Sequence, residues 1–418
     1  MGTIVTVDRE VYVPYPGDRR APAVSVRYLG PGLRREERLS YEVASDWCEA
    51  HRVRTSGDNG RTWSGWETFE GTGTTNNGMD WELGPFAVCH DPVGARTLRF
   101  LFLRHLLGRG AEAIQEHFRT GRQTMFDHNY WQMSADEGRT WSEPEQLCFE
   151  RGPVLRFGDT PTQEQLETNQ MYGGYDAITT RDGTVIYPSA GIPHTIRDGG
   201  AEELVEGVRC FIGRWDGKGC TYSWEVSDPI AVPHSISGRG LAEPTIAELA
   251  DGRLFLEMRG STVAIEPEWK GKTTSPGRRW FSTSSDGGRT WSPVSDLRYD
   301  TGERLYSPST LAKLLRHSRT GRLYWVGNIT PGPPDGNLPR RPLQIAEVDE
   351  AGPSLRRDTV TVVDDHRPGT DGPELQLSNF HLFENRETGD IEMYMTRFGE
   401  NAEHWLIAGA YRYRIRPI

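Results

Sequence analysis

Several residues of this 418-residue chain have the types and neighbours that chemistry needs. Arg20 precedes an apolar stretch, Arg259 ends one and is followed by a glycine, and Arg340 and Arg341 are adjacent. A guanidinium is a rigid fork of donors that matches a carboxylate with two parallel hydrogen bonds, so arginines gathered in one place suit an acidic ligand. Glu243 can act on a substrate or neutralise one of those arginines. Asp46, with Glu49 and His51 close by, is a carboxylate that can serve as a proton donor. Tyr172 and Tyr306 are phenols at the edges of apolar runs, and the two glycines after Tyr172 let another group approach the backbone closely. His128, His194 and His234 have the side chain suited to proton transfer near neutral pH, although a lone loop histidine is more often only solvated.

What brings these residues together is a repeat. Segments 56–63, 134–141 and 284–291 read SGDNGRTW, SADEGRTW and SSDGGRTW. The common pattern S-x-D-x-G-R-T-W predicts a tight turn. Asp58, Asp136 and Asp286 bond backbone N–H groups two residues on, the glycine takes a positive φ, and Trp63, Trp141 and Trp291 anchor the turn on a sheet. These are structural positions rather than catalytic ones. The copies start 78 and then 150 residues apart, and a degenerate copy near Trp215, Asp216 and Gly217 fills the gap. A period of about 75 residues marks an array whose units cannot bury their faces alone. Short apolar runs between the turns (97–103, 184–187, 253–258 and 323–326) read as strands.

Six strand groups follow, near 20–70, 80–147, 170–230, 241–297, 305–363 and 376–418. The expectation is an all-β, six-bladed β-propeller of four-stranded antiparallel blades, one domain over 1–418. Segment 3–13 alternates like a strand and is expected to join the last blade, closing the ring and removing an exposed edge. In such a blade the loops alternate between two faces. The turn repeats link third and fourth strands and fall on one face. The other face receives the starts of the innermost strands (Arg20, Asp80 or Glu82, Tyr172, Glu243, Tyr306 and Ser378) and the insertions 105–128, 191–208, 260–279 and 328–341. One polar, loop-walled mouth is the expected site.

The turn pattern resembles the Asp box (BNR repeat) of the sialidase, or neuraminidase, superfamily, and the likeness extends over most of the chain. Segment 243–259, EPTIAELADGRLFLEMR, is similar to the sialidase segment that supplies a catalytic glutamate and one arginine of a carboxylate-binding triad. Segment 20–24, RAPAV, looks like the first-blade element carrying another, and 328–330 with 340–343 resembles the stretch holding the third. The resemblance implies a propeller glycosidase with Glu243 in the catalytic set and Arg20, Arg259 and one of Arg340 or Arg341 as substrate ligands. The sequence departs from the family at the nucleophile: in 376–382, QLSNFHL, Leu377 stands where a sialidase has its tyrosine. Asp46 is the nearest counterpart of the general-acid aspartate.

Composition narrows the classes further. Net charge is −11 with no basic run, which argues against nucleic acid as partner. No stretch of 18 apolar residues is present, so no membrane span is expected, and no secretory leader is visible at the start; the compartment stays open between cytoplasmic and secreted with the leader removed. The five cysteines, at 48, 89, 148, 210 and 220, are odd in number and irregular in spacing, and read as free thiols. No metal-ligand spacing, phosphate loop or dinucleotide fingerprint occurs, so no metal or cofactor is expected. Three functions compete. The first is an exo-acting glycoside hydrolase for a terminal acidic sugar, with Glu243, Tyr306, Asp46 and His194 as catalytic candidates and Arg20, Arg259, Arg340, Arg341, Tyr172, His128 and His234 as binding candidates. The second is a lyase or hydrolase at a rhamnose–glucuronate-type linkage, and the third is a carbohydrate-binding propeller without catalysis.

Overall fold

The computed structural model describes residues 3–84, 87–198, 201–262 and 275–418. The strands form six antiparallel sheets. Each is ordered from an inner to an outer strand, as in Ala21–Tyr28, Arg35–Ala44, Trp47–Ser56 and Glu67–Thr68 of the first blade. The chain is a six-bladed β-propeller. The second strand of blade four is strongly apolar because both its faces are covered by neighbouring blades. In Leu254–Arg259 every residue but the last is buried. Isoleucines of the third blade (Ile186, Ile212) and leucines of the fourth (Leu254, Leu256) share one core cluster, against which Trp291 packs. Trp63 packs in the same way at the seam of the sixth and first blades.

The ring closes as expected. Val5–Val13 pairs antiparallel with Ala410–Pro417 as the outer strand of the sixth blade, Val5 opposite Pro417 and Val11 opposite Tyr411. The last blade therefore has no link between its third and fourth strands, which is why it has no turn repeat.

The three turns differ from expectation in one detail. Asp58 Oδ1 accepts from the backbone N–H of Thr62, four residues on, at 2.9 Å, and Asp58 Oδ2 accepts from the Thr62 hydroxyl at 2.6 Å. Ser56 Oγ closes the loop by accepting from Gly60 N–H at 2.8 Å, with Gly60 at φ +83°. Asp136 and Asp286 bind Thr140 and Thr290 in the same way. Carboxylates so solvated by donors are held down at about 2: by the Thr62 hydroxyl at Asp58, by the Thr140 N–H at Asp136, and at Asp286 by donors that outweigh its desolvation.

Blade two departs from the expected layout. Asp80–Leu83 and Ala87–Asp91 pair in succession along one edge of Arg96–Leu106, so Asp80 and Glu82 stand at the start of the inner line, and Thr72–Thr74 adds a further short strand on Asp80–Leu83. All five cysteines are free.

Candidate functional site

The face opposite the turn repeats opens into a cleft of about 1050 Å³. The expected insertions wall it. Helix Gly110–Thr120 brings Gln115, His117 and Phe118, the long hairpin of blade three brings Gly191 and Glu206, and the blade-five loop brings Asn337, Leu338 and Arg340. Insertion 260–279 contributes Gly260 and Ser261, and its residues 263–274 lie outside the described residues.

Blade four builds the charged centre. Its strands Ala242–Glu248 and Leu254–Arg259 pair with Ala242 opposite Arg259, and the register then shifts before Thr245. That bulge holds Glu243 at φ +46°, a backbone conformation costing on the order of 1–3 kcal/mol for a residue with a side chain. It aims the carboxylate at Arg259, whose Nη1 lies 3.1 Å from Glu243 Oε2 and also donates to the Ser309 carbonyl at 3.3 Å. Arg239, from the link into blade four, and Arg340, from blade five, complete an arginine wall. Arg239 lies against the Phe118 ring, 5.2 Å from its centroid. Burial lowers the pKa of Arg239 and of Arg340, and the charge of Arg259 lowers both further; Glu243 acts against this at each.

Tyr172 and Tyr175 of blade three share a hydrogen bond between their hydroxyls at the edge of the same cleft. Burial first, then the Glu243 charge, pushes Tyr172 up to about 12, and Tyr175 is also raised well above the phenol range, by burial and then by its neighbour.

In a six-blade ring the first blade stands opposite the fourth, and it carries carboxyls. Glu42 lies two residues before the end of the second strand and Asp46 sits in the turn to the third at φ +60°, its N–H donating to Glu42 Oε1 at 3.3 Å. Burial and the Asp46 charge push Glu42 up to about 8. Glu82, lining with Glu42 a smaller chamber of about 200 Å³, is pushed to about 7 by burial against the opposing pull of Arg104. Arg104 itself is held by two hydrogen bonds to Asp127, at 2.9 and 3.0 Å. Asp46 acts electrostatically on both Arg239 and Arg340.

Of the residues singled out from sequence, Glu243, Arg259, Arg340, Tyr172 and Asp46 line this cleft. The others are placed elsewhere. Arg20 is exposed just before its strand. Tyr306 lies under Arg278, 5.1 Å from ring centroid to guanidinium, and its backbone pairs with Thr330. Arg341 is half-buried outside the lining. His128 is buried and donates through Nε2 to the Thr168 carbonyl at 3.1 Å. His194 lies on the blade-three hairpin, and His234 places Nδ1 2.7 Å from Glu203.

Arg239, Glu42 and Tyr175 are the cleft residues of most chemical interest beyond those expected. Arg239 was legible in principle: it lies between glycines in the link into blade four, and links between blades fall on the mouth face. Among the described residues no group of three or more metal-ligating side chains occurs.

A family model described as the BNR repeat-like domain matches residues 115–383. No curated protein matches the chain in sequence. Among solved structures the chain is similar to a protein of unknown function from Dyadobacter fermentans, 14% identical with a TM-score of 0.60, over 99% of each chain. It is also similar to the NanB sialidase of Streptococcus pneumoniae, 12% identical with a TM-score of 0.58, over 98% of this chain and 70% of that one. A third is the intramolecular trans-sialidase of Ruminococcus gnavus, 13% identical with a TM-score of 0.53, over 98% and 97%. At these identities the likeness shows the fold.

Proposed function

The chain belongs to the BNR repeat-like domain family, and from the cleft its propeller builds we propose a glycoside hydrolase that removes a terminal acidic sugar. One observation carries this reading: arginines of blades four and five and the Glu42 carboxyl of blade one, whose pKa is pushed up by burial and by Asp46, line the same cleft. Arg239, Arg259 and Arg340 gather on one side of the cleft, with Glu243 and Glu206 near them as counter-charges, and their forked donors suit a substrate carboxylate. With the carboxylate held there, the glycosidic bond points toward blade one. Glu42, whose pKa is pushed up to about 8, then donates its proton to the leaving oxygen. The positive charge that develops on the sugar ring falls near Glu243 and the Tyr172–Tyr175 pair. Leu377, which stands where a sialidase has its tyrosine, is fully buried in the blade-six core, and the phenols offered to the cleft are Tyr172 and Tyr175 of blade three.

A lyase cutting beside a uronate draws on the same tyrosine pair as base and the same arginines to neutralise the carboxylate. A product assay separates the two on a panel of sialosides and glucuronides. The hydrolase reading expects a saturated sugar with a new reducing end. An unsaturated product absorbing in the ultraviolet would replace it with the lyase, and binding without turnover would leave a carbohydrate-binding propeller.

A further inference from the structure

The arginine wall and the facing carboxyls occupy only part of the cleft. Its volume, about 1050 Å³, is at the top of the range for sites that enclose drug-sized ligands, and exceeds what one sugar ring fills. On the blade-six side the wall carries a group of aromatic rings. Trp405 lines the cleft from the loop between the second and third strands of blade six. It packs on Phe398 with ring centroids 5.4 Å apart, and His404 lies nearly parallel to it, 6.3 Å away at 28°. Its cluster includes Ala21 of blade one, so the indole stands at the seam between blades six and one. The Leu377 N–H bonds the Arg340 carbonyl, and the neighbouring Gln376 N–H bonds the Phe398 carbonyl. The shelf therefore continues from the arginine wall toward Glu42 and Asp46.

The loop is tied down more heavily than an exposed connection needs. Arg397, 1% exposed, pairs with Asp364 and with Asp371, the latter at 2.7 Å, and its Nε lies 3.4 Å from Glu400. Glu400 accepts from Gly409 N–H at 2.7 Å and from the Tyr411 hydroxyl at 2.9 Å. Gly399 N–H reaches the Trp405 carbonyl at 2.9 Å. Both ends of the loop are fixed, so the indole is presented without an ordering cost on binding.

We infer that Trp405 is the stacking platform for the neutral sugar on the leaving-group side, so that the preferred ligand is an oligosaccharide ending in an acidic sugar rather than a small acidic glycoside. This rests on the hydrolase reading for the direction of the chain. The proton donor on blade one must reach the oxygen between two sugars, and the second sugar then lies beyond that oxygen, over the seam where Trp405 stands. An indole is amphipathic, with a broad apolar face that takes the C–H face of a pyranose and tolerates several hydroxyl patterns.

The test titrates wild type, Trp405→Ala, Trp405→Phe and Arg259→Ala with three sets of probes. These are oligosaccharides ending in sialic or glucuronic acid, the same acids as monosaccharides, and the neutral remainder of each oligosaccharide. Thermal midpoints report whether each variant folds. The expected result is that Trp405→Ala weakens the oligosaccharides about tenfold or more, the scale of one stacked ring, abolishes binding of the neutral remainders and leaves the acids within about twofold. Trp405→Phe retains most of the affinity. Arg259→Ala does the reverse, losing the acids and keeping the neutral remainders. Unchanged oligosaccharide affinity in a folded Trp405→Ala overturns the platform, as does equal weakening of acids and oligosaccharides. Neutral remainders bound through Trp405, with no binding of acids by the wild type, would uphold the platform and contradict the arginine reading alone.

Discussion

Arg259 Nη1 and Glu243 Oε2 lie 3.1 Å apart at one end of two paired strands, and a bulge at residue 243 is what turns the carboxylate toward the guanidinium. The pair is partly desolvated and sits in the same cleft as Arg239 and Arg340, on both of which Glu243 and Asp46 act electrostatically. Glu243 is thus both a local counter-ion and the carboxylate nearest the place where positive charge would develop on a bound sugar.

Glu243→Gln separates these roles. Removing one negative charge from the arginine wall strengthens or preserves binding of an acidic sugar, while loss of the carboxylate lowers turnover by about a hundredfold or more, the scale of a positioned acid–base group. Calorimetry with the acid and initial rates with its glycoside measure the two effects. Binding and turnover falling together would make Glu243 a structural counter-ion only.

Glu42 makes the pH dependence directional. Its folded-state value of about 8 lies above the ordinary 4.5, so its contribution to stability is complete below about 4.5 and is lost as pH rises through 8. Glu42→Gln is therefore expected to flatten the loss of thermal stability between pH 5 and 9. As proton donor, Glu42 also sets an alkaline limb in kcat/KM near pH 8, and the variant loses that limb together with most of its activity. An unchanged limb would move the donor role to another group.

The turn repeats titrate in the opposite sense. Asp58, Asp136 and Asp286 are held at about 2, below the ordinary 3.8, so what they contribute is present above 3.8 and lost as pH falls through 2. Asn at all three positions is expected to lower the melting temperature at pH 7 and to blunt its fall between pH 4 and 2. A parallel offset at every pH would contradict this assignment.

Trp291 is expected to matter for folding alone. It packs on the core shared by blades three and four and donates through Nε1 to the Gly288 carbonyl at 3.0 Å, yet part of the indole stays at the surface. Trp291→Ala should cost about 3 kcal/mol, the low end for an aromatic truncation. Denaturant melts measure it, and specific activity of the folded fraction should stay at the wild-type value.

The propeller was legible because three near-identical turns recur at a fixed spacing, and because segment 3–13 has the alternation of a strand with no partner nearby in sequence. The added strand Thr72–Thr74 was not, since three residues are too few to show an alternation. In the site, Glu243 and Arg259 were readable because each sits at a strand end on the mouth face. Arg20 was placed by its position before a first strand, but one residue decides which way a side chain faces at a strand start, and Arg20 is exposed. Arg239 had a local signal, its place in a glycine-flanked link on the mouth face, whereas Glu42 had none: its importance comes from burial and from the Asp46 charge, which no local pattern encodes.

The central claim is that the arginine wall holds a substrate carboxylate, and the most direct measurement compares an acidic glycoside with its methyl ester, on wild type and on Arg259→Ala. Wild type is expected to lose about 1.5–3 kcal/mol of binding when the carboxyl is esterified, roughly ten- to a hundredfold in affinity. Arg259→Ala is expected to lose a similar amount toward the free acid and little more toward the ester, with its fold intact. Equal handling of acid and ester by the wild type would contradict the account and point to a neutral sugar in the cleft.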